Sequence, residues 1–68
     1  MVEAYILANK GGNDFYAIDT GTGFPYATNQ IKQAIVFNNE NDAIQRLLDN
    51  ENSATRFLKD YCVFKIVL

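Results

Sequence analysis

At 68 residues the chain has room for one small globular domain, 1–68, and no second one. A single cysteine excludes an internal disulfide, and with no histidine present neither a metal nor a cofactor is expected. A net charge of −2, from six basic and eight acidic residues, is too weak for a nucleic-acid-binding face and too sparse for a DNA mimic. A domain of this size buries only about 60% of the surface its unfolded chain exposes. Its stability must therefore come from a tight core, a partner subunit, or both. The supply is ample: 49% of residues are hydrophobic, including five Phe and four Tyr. The lone thiol fits a reducing compartment. No basic region followed by an apolar stretch opens the chain, and no apolar run nears the roughly 20 residues that span a bilayer. A soluble cytoplasmic protein without membrane contact is expected.

Val2 to Ala8 alternates as a strand, with Tyr5 and Leu7 on one side and Ala4 and Ile6 on the other. Gly11-Gly12 then supplies turn positions for a hairpin, and Asp14 to Asp19 is the return strand. Thr20-Gly21-Thr22-Gly23 ends it. Pro25 donates no backbone hydrogen bond, which rules Phe24-Pro25-Tyr26 out of a central strand and predicts an ordered loop laid against the hairpin. Residues 27–33 are polar, anchored by Ile31, and Ala34-Ile35-Val36-Phe37 reads as the third strand. Asn38 to Asp42 signals a helix start, with Asn as cap and acids in the first turn. Ala43, Ile44, Leu47 and Leu48 form the helix's apolar stripe. Residues 49–53 are weak helix formers and predict a break, with Asn52 or Ser53 recapping a second short helix that offers Phe57 and Leu58 to the core. One bent helix is the competing reading.

Tyr61 to Leu68 closes the sheet. Cys62, Phe64, Ile66 and Leu68 make one apolar face; Tyr61, Val63 and Val67 make another, interrupted by Lys65. A strand apolar on both sides is normally covered on both. One helical layer covers one, so the other face must meet Phe24 and Tyr26 or a second subunit. The expected fold is α+β: a small antiparallel sheet in β-β-β-α-(α)-β order with helix on one face. A homodimer is expected from the uncovered side.

Asp19-Thr20-Gly21 after an apolar run is the triplet of aspartic proteases, whose chemistry needs two such carboxylates sharing a proton. No later apolar-apolar-Gly segment follows to buttress it, so Asp19 and Thr20 read as a self-bonded turn. Thr20, Gly21, Thr22 and Gly23 could instead offer amides to a nucleotide-like ligand, although no helix opens behind them. Cys62 lacks a base and reads as a small buried hydrophobe. Nothing else in the chain points to an enzyme. The aromatic, Pro-stiffened loop is the best candidate for partner binding: Tyr16, Phe24, Pro25 and Tyr26 as contacts, with Glu40, Asp42 and Glu51 as rim charges.

Several stretches together resemble short uncharacterised accessory proteins of tailed bacteriophages. They are Tyr5-Ile6-Leu7 before a glycine hairpin, Phe15-Tyr16-Ala17-Ile18-Asp19, Gly23-Phe24-Pro25-Tyr26, and Ala34-Ile35-Val36-Phe37 before a capped helix with Ala43. The likeness spans most of the first two-thirds of the chain. It implies a viral factor that binds and inhibits or modulates a host protein in the host cytoplasm, as in host takeover or anti-defence.

Overall fold

The structure, a computed structural model, describes residues 2–49 and 53–68. Its strands are β1 (Glu3–Asn9), β2 (Phe15–Ile18), β3 (Pro25–Thr28) and β4 (Tyr61–Val67), and its α-helix is α1 (Glu40–Leu48). They form one antiparallel sheet in the order β3-β2-β1-β4, with α1 packed against it. The fold is the expected α+β arrangement. No helix among the described residues is long and apolar enough to cross a membrane.

The β1–β2 turn is built by Asn9. Its side-chain oxygen accepts the amides of Asn13 and Asp14 at 3.0 and 3.1 Å, and Gly12 takes the positive φ of 73° that the turn needs. Beyond this turn the two strands part. β1 pairs with β2 at one Cα position, Ala8 with Phe15, but with β4 along all seven residues from Glu3–Val67 to Asn9–Tyr61. The segment predicted as the third strand fills the gap. Ile35 donates to the Tyr16 carbonyl at 2.9 Å, and Phe37 exchanges both backbone bonds with Tyr5 at 2.8 and 3.0 Å. It makes a single bridge and no ladder, so it is a wedge between β1 and β2.

The third strand proper is Pro25–Thr28, where the sequence predicts a loop. The proline objection holds for central strands only, and β3 is at the sheet edge. Asp19 donates to the Phe24 carbonyl at 2.9 Å, so Phe24 faces its backbone to β2 and the next nitrogen, that of Pro25, faces outward. Ile31, expected to anchor residues 27–33, lies in a short 3₁₀ turn, Ile31–Gln33, and is 56% exposed. Thr28 is the buried residue there, its hydroxyl donating to Gln33 Oε1 at 2.8 Å.

On one face of the sheet, Leu7, Tyr16 and Tyr61 pack with Ala43 of α1 and with Leu58. Asn39 caps α1 as expected, accepting the Asp42 amide at 2.8 Å. The stripe is narrower than predicted: Ala43 is buried and Leu47 packs on the core, but Leu48 is 67% exposed because α1 ends there. The break predicted over residues 49–53 falls mostly on residues 50–52, which, with the Asn52 recap, lie outside the described residues. Ser53–Asp60 is a second helix of 3₁₀ type, which brings Phe57 and Leu58 to the core. Thr55 closes the gap by donating its hydroxyl to the Asp49 carbonyl at 3.0 Å, a group the end of α1 leaves without a helical partner.

The helical layer covers the Tyr61 and Val63 side of β4. On the other face Ile6, Ala8 and Phe15 pack with Ala34, from the segment between β3 and α1, as a second, smaller core against which Ile66 packs. Phe64 stays 38% exposed there, and Cys62 is half-buried rather than sealed in.

Candidate functional site

The β2–β3 turn is held from within. Asp19 Oδ1 accepts the amides of Gly21 at 2.7 Å and Thr22 at 3.4 Å. Gly23 donates to the Asp19 carbonyl at 2.7 Å with a φ of +76°, and Phe24 donates to the Thr22 hydroxyl at 3.3 Å. This is the self-bonded turn expected of Asp19, with its carboxylate folded onto its own loop. The amides of Gly21, Thr22 and Gly23 are already spent, which weighs against a phosphate cradle at Thr20–Gly23.

A rigid turn holds Phe24 out into solvent, 66% exposed, beside Pro25 and the exposed Tyr26. Beneath it lies a cleft of about 360 Å³ between the turn and the end of α1, lined in part by Gly23, Phe24, Pro25, Arg46 and Asp49, with Tyr16 and Thr55 at its base. A larger groove of about 610 Å³ continues along α1 and is lined by Phe37, Asp42, Gln45, Arg46 and Asp49. Arg46 and Asp49 line both, so the Arg46 furrow comprises a cleft and a groove that adjoin at this cation. The Arg46 guanidinium stands 6.0 Å from the centroid of the Tyr16 ring, a cation–π arrangement. Among the described residues the only ion pair is Glu3–Lys65, so Arg46 is held by an aromatic face and keeps its donor fork available.

Of the residues singled out by sequence, Phe24, Pro25, Tyr26 and Asp42 border this furrow or the turn above it. Glu40 is exposed in the first turn of α1, beyond the groove, and Glu51 lies outside the described residues. Tyr16 is corrected: expected as an exposed contact, it is 1% exposed. It sits on the helix-facing side of β2 and packs between Phe37 and Phe57, with ring centroids 6.5 and 6.4 Å away. Burial raises its phenol pKa, a shift that Arg46 opposes. Arg46 and Asp49 were missed by sequence reading. Their spacing three apart, in the helix's last turn and at its cap, was visible, but nothing local shows that the β2–β3 turn folds back over that end of it.

Comparison of the chain with known protein families, with curated proteins and with solved structures gives no match.

Proposed function

We propose that this chain is a non-enzymatic interaction protein that engages a partner protein through Phe24, Pro25 and Tyr26 and the Arg46 furrow beside them. The observation that carries the reading is an aromatic side chain, Phe24, presented to water by a turn fixed through five internal hydrogen bonds. An anchor already held in place loses little conformational entropy on binding, and aromatic and arginine side chains dominate interface energetics. Arg46 suits a partner carboxylate, held bidentately, next to an apolar residue that meets Phe24. In keeping with the phage resemblance, the partner class is a host protein whose surface this chain occludes. Self-association belongs to the same reading, because the Phe64 and Ile66 side of β4 lies away from the helical layer.

The test is a capture comparison from the native host cell. Phe24→Ala/Tyr26→Ala should lose the captured protein while its far-UV spectrum stays native. Arg46→Ala should weaken capture about tenfold or more, the usual cost of losing a charged hydrogen bond. Capture by both variants at the wild-type level would refute the surface.

A further inference from the structure

β4 ends the sheet, and among the described residues nothing pairs with its outer edge. Which groups face that edge follows from the inner one. Val2 and Leu68 exchange both backbone bonds, at 3.2 and 2.8 Å. Antiparallel ladders alternate, so Cys62, Phe64 and Ile66 direct their N–H and C=O to β1, while Tyr61, Val63, Lys65 and Val67 direct theirs outward. The opposite edge is guarded: β3 has four residues, and Pro25 removes an outward donor. β4 has seven residues, no proline and an unbroken register with β1. Its one charge, Lys65, is paired within the chain with Glu3 at 3.1 Å. Phe64, Val67 and Leu68 remain exposed along it.

We infer that β4 pairs antiparallel with β4 of a second copy of this chain, about a twofold axis at Phe64, joining two sheets into one. This deepens the self-association reading above and rests on it. Phe64 is the midpoint of Tyr61–Val67, so this centre alone overlaps the whole strand. It also keeps the bonding phase: Tyr61 meets Val67 and Val63 meets Lys65, all outward-facing residues, for about eight backbone bonds between copies. A slip of one residue sets outward groups against inward ones. A slip that centres the axis on Lys65 sets like charges face to face, and one that centres it on Val63 leaves Ile66 and Val67 unpaired. In the favoured register Phe64 meets its own counterpart and Cys62 meets Ile66, so every pair on that face is apolar. The edge matches itself in phase and length and sets no like charges opposite each other, which is what a second copy supplies.

Sedimentation equilibrium should give a dimer mass that dissociates on dilution. Phe64 and its counterpart form a non-hydrogen-bonded pair with Cα atoms about 4.5 Å apart, within disulfide reach. Under mild oxidation Cys62→Ala/Phe64→Cys should therefore form a covalent dimer at least tenfold faster than Cys62→Ala/Lys65→Cys. Lys65→Pro spares the bonds to β1 but deletes two bonds per dimer, and should raise the dissociation constant roughly thirtyfold with a native far-UV spectrum. A monomer at millimolar wild-type concentration overturns self-association and register together. A wild-type dimer that cross-links faster at 65 than at 64, or is indifferent to Lys65→Pro, overturns this edge pairing and assigns the dimer to another surface.

Discussion

Replacing Tyr16 by alanine should cost this protein a large share of its stability rather than only weaken its binding. The ring is 1% exposed and packs against Phe37 and Phe57. Truncating a buried aromatic costs about 3–5 kcal/mol, from lost transfer energy and the cavity left behind. At about 0.05–0.15 kcal/mol per residue, a chain of 68 residues has only about 3–10 kcal/mol in total. Tyr16→Ala thus removes between a third and all of it. Tyr16→Phe keeps the ring, the packing and a face for Arg46, and should stay within about 1 kcal/mol of wild type. Urea melts followed by far-UV circular dichroism separate the cases. With a slope of about 1 kcal/mol/M, Tyr16→Ala should lower the midpoint by about 3–5 M or leave no folded baseline. A midpoint within about 0.5 M of wild type would refute the burial of Tyr16 and return it to the surface.

The remaining predictions concern the turn, the helix cap and pH. Gly23→Ala meets no atom within 4 Å, so its cost is backbone strain alone at φ +76°; about 1 kcal/mol, or a melting point lower by about 4–8 °C, is expected by calorimetry. Asn39→Ala removes the acceptor for the Asp42 amide and should cost about 1 kcal/mol in the same assay, with Asn39→Ser, which keeps an acceptor and adds no charge beside the Asp42 carboxylate, closer to neutral. Burial raises the pKa of Tyr16 and Tyr61, the latter helped by Asp14, so the folded state favours the neutral phenols. That stability is fully present below pH about 10, where an unfolded tyrosine titrates, and is lost as pH climbs through the raised values. Urea midpoints should fall steeply between neutral and strongly alkaline pH, and Tyr16→Phe should flatten part of that fall; equal slopes would contradict the assignment.

The elements legible in the sequence were those whose signals are local. The Gly11-Gly12 turn, the Asn39 cap and the alternation of β1 and β4 each report on a few neighbours, and each has its structural counterpart. Misreadings arose where the outcome depends on distant chain. Ala34–Phe37 has the composition of a strand, yet it is trapped where β1 and β2 diverge, with space for one bridge. Pro25 was judged by what proline forbids in a sheet centre, and edge position is a property of topology. Tyr16 alternates with Phe15 and Ala17, so its face was known; which face the helices cover was not. At the candidate site Phe24, Pro25 and Asp42 were legible as residue types, whereas Arg46 and Asp49 join them only because the turn closes over the end of α1.

The uneven stitching of β1 has a kinetic consequence. Its hairpin neighbour, reachable within a few residues, contributes little pairing, and the long ladder binds it to a strand almost the full chain away, Glu3 against Val67. Closing so wide a loop costs about 3–4 kcal/mol of chain entropy before any contact repays it. Acquisition of native structure is therefore set to be slow for so small a polypeptide and indivisible, with no half of it able to mature ahead of the other.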